Sequence, residues 1–182
     1  MPTVTRAVTF AVALLAVSTD AGATLVADPG ARVAFTASGP AGMKIVGNTT
    51  ELATGGSPDT VTITVTLTHL TTGIDLRDKH MREKYLEAQT YPTAVLTVPR
   101  ASIAFPAAAA TQSADAQGTL TLHGQSRPTA FHYTAANLGT SYRVDGTMRV
   151  NMHDFGITVP TYLGVTVKPD VDIEVHFTAA DR

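Results

Sequence analysis

The chain has no cysteine and no tryptophan in its 182 residues. Without cysteine there is no disulfide to staple the fold, no thiol catalysis and no Cys-linked lipid anchor. Stability must come from a packed core. Charge is also scarce: 15% of residues are charged and the net charge is −2. No basic field exists to hold nucleic acid, and a purely electrostatic attachment to anionic membrane is disfavoured. Five Tyr and six Phe are the whole aromatic supply for stacking on sugars or bases. Long apolar runs are missing as well. The main one, "AVTFAVALLAV" from Ala7 to Val17, follows Arg6 and is too short to span a bilayer. Small residues come next, and Ala21-Gly22-Ala23 fits small-x-small cleavage. Residues 1–23 therefore read as a secretory signal cut after Ala23, against a retained membrane anchor. The mature domain is 24–182, periplasmic or secreted, with no stable membrane insertion.

What the sequence does have is alternation. In "DTVTITVTLTHL", Val61, Ile63, Val65 and Leu67 share one parity, while Thr60, Thr62, Thr64, Thr66 and Thr68 share the other. Successive strand side chains point to opposite faces, so this predicts a strand with one apolar and one wet face. β-Branched threonine suits the wet side of a pleat. The pattern returns with Tyr142, Val144, Met148 and Val150, with Val171, Ile173, Val175 and Phe177, and with Leu120 and Leu122. Weaker strands are expected at 32–37, 43–52, 91–100 and 129–136. Eight candidate strands, mostly divided by Gly, Pro, Asn or Asp, predict an all-β fold: an antiparallel sheet curled on itself, or a sandwich. An eight-stranded barrel has room inside for packed side chains or one small ligand.

Two segments break the period. Residues 101–117, Ala-rich with one Pro, read as a long excursion that tucks Ile103 and Phe105 onto the body. The other is "TTGIDLRDKHMREKYL", Thr71 to Leu86, where charge is concentrated. Leu76, Met81, Tyr85 and Leu86 are spaced for one side of a helix of about 12 residues, with Asp75 or Asp78 as its cap. Asp78 and His80 diverge by about 200° on a helix, so one metal is hard to reach from both. Arg77 and Arg82 stand close enough to neutralise the acids. His69 has the parity of Val61 to Leu67, which aims its ring at a ligand headgroup near a barrel mouth or leaves it a core-edge residue. His123, His132, His153 and His176 show no metal-ligand spacing. Gly-x-Ser-x-Gly is absent, and no Gly-rich phosphate loop precedes a helix. No catalytic, metal or cofactor site is expected.

The charged segment, read with later ones, resembles a known family. "RDKHM" (77–81), Tyr85-Leu86 and Tyr91-Pro92 are similar to the signature of the YceI-like family of secreted lipid- or polyisoprenoid-binding domains. "GTLTLHGQSRP" (118–128), "DFGI" (154–157) and "VKPDVDIEVHFTA" (167–179) resemble further elements of it, in the same order. The resemblance implies an extended, lipocalin-like antiparallel β-barrel with one helix near a barrel end. It implies no catalysis, and an elongated amphiphile inside: polyisoprenoid, isoprenoid quinone or fatty-acyl chain. The expected tube lining is Val61, Ile63, Val65, Leu67, Leu96, Leu120, Leu122, Val144, Met148 and Val150. Met81, Tyr85, Leu86 and Phe155 are expected to line or lid one end, with His69 at the mouth. The partner is then a long-chain lipid or isoprenoid, not nucleic acid; a homodimer is left open. The alternative is a stress-related structural or interaction domain with a filled barrel and no ligand.

Overall fold

The computed structural model describes residues 25–162 and 164–181. The expected signal segment, 1–23, lies outside the described residues. The alternating stretches form the strands. Along the chain these are β1 (Leu25–Ala27), β2 (Arg32–Ser38), β3 (Lys44–Thr49), β4 (Leu52–Ser57), β5 (Thr60–Thr66) and β6 (Thr93–Pro99). After them come β7 (Thr111–Leu122), β8 (Gln125–Asn137), β9 (Tyr142–Asn151), the short hairpin β10 (Thr161–Tyr162) and β11 (Val165–Thr166), and β12 (Asp170–Asp181). Helix α1 (Asp75–His80) runs into a wider turn at Met81–Tyr85, closed by Leu86 N–H donating to Met81 O at 2.9 Å.

Ten strands join in one antiparallel sheet, in the order β3-β2-β12-β9-β8-β7-β6-β5-β4, with β1 on β12. Eight were expected. The difference has a simple origin: β1 and β2 lie end to end on β12, and β3 runs into β4 through Thr50 and Glu51. The two ends of the sheet, β3 and β4, are thus consecutive in the chain, and the sheet curls into a half-barrel. At that corner Thr66 N–H donates to Glu51 O at 2.9 Å. Asn48 and Thr71 exchange two backbone bonds, at 2.8 and 3.0 Å.

Register sets the inner rows. One runs Ala116, Phe131, Met148, Ile173, Phe35 and Gly47 across six strands. The next runs Ala114, Tyr133, Gly146, Val175, Val33 and Thr49. Position 47 favours glycine, because a Cβ there would sit 2.2 Å from Phe35 Cε1 and the ring would have to shift. The main core fills one end. Leu67, Leu96, Val98, Leu120, Leu122, Val150, Met152, Phe155 and Ile157 are buried together there, beneath Tyr85 and Leu86. A second cluster, around Leu25, Val61, Phe177 and Ala179, packs Leu52, Val144 and Val175.

Three expectations are corrected. The 101–117 excursion is shorter than read, because Thr111 to Gln117 already belong to β7. Neither Asp75 nor Asp78 caps α1: Ile74 holds the N-cap position with no side-chain bond. The period of β5 ends at Thr66, and a turn follows. His69 therefore does not continue the inner face. Its side chain is 69% exposed and lies 3.9 Å from Glu51.

Candidate functional site

The inward-facing apolar surface divides by packing. Of the expected lining residues, Val61, Leu67, Leu96, Leu120, Leu122, Val150 and Phe155 are each less than 10% exposed and sit within the two cores. Ile63, Val65, Val144 and Met148 are only partly buried, although register places them on the inner face. Tyr85 and Leu86 are half-buried against the main core, whereas Met81 is half-buried and outside the clusters. Phe35, Phe131, Val171, Ile173 and Val175 share the partly buried inner rows and were not among the expected lining. Their signal was present in the sequence: Phe131 and Tyr133 alternate with polar neighbours, as do Val171 to Phe177.

Among the described residues, one polar side-chain atom on this inner face is buried without a hydrogen-bond partner. Thr54 stands opposite Ile63, and its Oγ1 is buried with no hydrogen bond. At the other edge of the interior, Pro99 to Ala110 crosses the sheet. Ala104 N–H donates to Tyr133 Oη at 2.7 Å, and Asn137 Nδ2 donates to Pro106 O at 2.9 Å. Phe105 packs edge-on to Tyr142, with Arg100 4.5 Å above its ring. Ile103 touches all three apolar clusters.

The charged segment works as a clamp. Asp78 is 4% exposed and accepts from Thr71 Oγ1 at 2.5 Å, from Thr72 N–H at 2.7 Å and from Thr72 Oγ1. Burial pushes its carboxyl up, but the Thr71 and Thr72 hydrogen bonds and the nearby Arg82 outweigh this and hold it below the usual carboxylate range. Arg77 donates to Thr72 Oγ1 at 2.7 Å and to Thr72 O at 2.9 Å; Arg82 donates to Leu70 O at 2.9 Å. Thr71 is the residue bridged to Asn48 of β3, so this segment locks the corner of the sheet. His80 is exposed and takes no part. Among the described residues no cluster of three or more His, Asp or Glu is placed to hold a metal.

The remaining motifs meet at the packed end. His123 and Gly124, with φ of +50° and +71°, form the two-residue turn between β7 and β8. Both central residues of such a tight hairpin need positive φ, which glycine adopts freely and histidine does not. The His123 ring packs on Tyr91 at 4.6 Å, and its Nδ1 lies 3.1 Å from Phe155 O. Nε2 is buried without a hydrogen bond, 3.6 Å from Glu87. Tyr91-Pro92, His123-Gly124 and Phe155-Gly156 are thus three sequence-distant pieces of one joint.

A family model for the YceI-like domain matches residues 8–179. The chain belongs to the YceI-like family. Solved structures agree on the fold. A polyisoprenoid-binding domain from Saccharophagus degradans, implicated in plant cell wall breakdown, superposes with a TM-score of 0.73 at 20% identity, covering 88% of this chain and 99% of that one. BcnA of Burkholderia cenocepacia gives 0.68 at 18% identity, over 85% and 99%. The Campylobacter jejuni YceI protein gives 0.57 at 14% identity, over 76% and 85%. Comparison with curated proteins gives no match.

Proposed function

We propose that this YceI-like domain binds and carries, or sequesters, a single elongated apolar chain (polyisoprenoid, isoprenoid quinone or fatty acyl) in the middle of the curled sheet, without catalysis there, after export to the periplasm. The observation that carries the reading is the contrast along the interior: one end is fully buried, while the middle inner rows, Ile63, Val144, Met148 and Ile173 among them, pack against the cores yet stay only partly buried. Removing a CH₂ from water is worth roughly 0.8 kcal/mol, so about ten such groups give on the order of 8 kcal/mol before ordering costs. Few directional contacts are then needed, and selection follows chain length and branching. Met148 is flexible enough to follow an irregular chain, and Thr54 Oγ1 offers one hydrogen bond to a polar group.

A filled barrel is the second reading, favoured by Ile103, which packs against all three clusters and so takes up part of the interior itself. Organic extraction of protein purified from a native-like periplasm, followed by mass spectrometry, separates the two. One prenyl or acyl compound per chain is expected. Repeated empty extracts, with no uptake of a fluorescent lipid, would favour the filled barrel.

A further inference from the structure

Outside the barrel, on the wet face of β7 and β8, three side chains stand in a hydrogen-bonded line. Ser113 Oγ lies 2.8 Å from His132 Nε2, and His132 Nδ1 lies 2.7 Å from Asp115 Oδ1. Register explains the arrangement. Ser113 and Asp115, two apart on β7, point to the same face, and His132 on β8 is the direct cross-strand partner of Asp115. The imidazole thus pairs straight across through one nitrogen and diagonally through the other. Since a carboxylate only accepts, Nδ1 carries the proton, which leaves Nε2 free to accept from the serine hydroxyl. Thr134 Oγ1, 2.8 Å from Ser113 Oγ, supplies a second hydrogen bond to that oxygen.

We propose that Ser113, His132 and Asp115 form an acyl-transfer site that cleaves small carboxylic esters on the outer face of the sheet, separate from the lipid-binding interior. The order nucleophile, base, orienting carboxylate is the one such chemistry requires, whatever the fold that presents it. Ser113 Oγ adds to the ester carbonyl carbon as its proton passes to His132 Nε2. The acyl C–O bond breaks, and His132 returns the proton to the departing alkoxide oxygen. Water then adds to the acyl-serine, gives its proton to His132, and releases the carboxylic acid with Ser113 restored. Asp115 is a positioning residue: it holds the tautomer and stabilises the imidazolium.

Two further features favour a substrate here. A groove of about 510 Å³ opens beside the Asp115–His132 pair: Thr147, Arg149, Asp172 and Glu174 line it with them, along with Phe131, Met148 and Ile173 of the row between, and Ser113 stands outside it. Its carboxylates, with Asp172 already bonded to Arg149 at 2.7 Å, suit a neutral or cationic ester better than an anionic one. The second feature is the edge beside Ser113. Strand β6 pairs with β7 only from Thr119 to Thr121, so the first half of β7 has no strand on that side among the described residues. Alternate backbone N–H groups point to such an edge and are the donors available to a developing oxyanion.

The test uses the purified full chain with two probes, a fluorophosphonate and p-nitrophenyl acetate. Peptide mass spectrometry should find a single fluorophosphonate adduct, on Ser113. Ser113→Ala should abolish both the adduct and nitrophenolate release. His132→Ala should slow labelling by about 100-fold or more, the usual contribution of a general base. Asp115→Asn should lower kcat at unchanged KM. All three residues are exposed, so melting temperatures should hold. No Ser113 adduct on folded protein, hydrolysis that survives Ser113→Ala, or labelling equally fast in His132→Ala would each overturn the proposal.

Discussion

Replacing Asp78 by Asn tests the account of the charged segment. The carboxylate accepts from three donors, Thr71 Oγ1, Thr72 N–H and Thr72 Oγ1. The amide keeps the size but gives up the charge, and its NH₂ must face a group that formerly donated. Hydrogen bonds to a charged group contribute about 1.5–3 kcal/mol each, and a neutral acceptor recovers part of that. A net loss of about 2 kcal/mol at pH 7 follows, or about 4–8 °C in Tm for a domain of this size. Asp78→Ala orphans all three donors and should cost about 3–4 kcal/mol. The loss has a pH signature. The folded carboxyl titrates below its ordinary value of 3.8, so its contribution is complete above the unfolded pKa and vanishes as pH falls through the folded one. The Tm gap between wild type and Asp78→Asn should hold from pH 7 to about 5 and close below 3.8. Scanning fluorimetry across that range measures it. An Asn variant as stable as wild type at pH 7, or a gap undiminished at the acid end, would refute the reasoning.

Other outcomes follow from the packing. Met148→Trp and Ile63→Trp should fill the middle rows and cut fluorescent-lipid uptake at least tenfold, about 1.4 kcal/mol, while Leu120→Ala in the packed end should cost about 2–5 kcal/mol of stability and leave uptake intact. Gly47→Ala should destabilise by about 1–3 kcal/mol in denaturant titrations, because its Cβ meets the Phe35 ring, and Phe35→Leu should recover part of the loss. Tyr133→Phe removes the acceptor for Ala104 N–H and should speed amide exchange and proteolysis across residues 101–110 without changing the sheet.

Alternation made most of the sheet readable, since parity depends only on neighbours in the chain. Threonine on one side of β5 and aliphatics on the other fixed its faces before any partner was known. The same local rule failed at His69, where a turn driven by the Leu67–Leu70 backbone bond ends the strand. Parity cannot see where a strand stops. The strand count failed for a related reason: β1 and β2 form one ribbon only because both pair with β12, which is a long-range fact. Asp78 looked like a helix cap because acids usually serve that purpose near helix starts, but burial turned it back toward Thr71 and Thr72. In the candidate site, Ile63 and Leu120 look alike in sequence. Only packing separates the buried one from the accessible one. Ser113, Asp115 and His132 were out of reach altogether, because their meeting depends on the β7–β8 register and no sequence spacing signals it.

Photo-crosslinking with a diazirine-bearing polyprenol analogue tests the location of the ligand most directly. Adducts mapped by mass spectrometry should fall on the inner rows, on Ile63, Phe131, Met148 or Ile173, and disappear in Met148→Trp. Adducts confined to exposed apolar residues such as Val46, Ile74 and Leu76, unaffected by that substitution, would contradict an interior site.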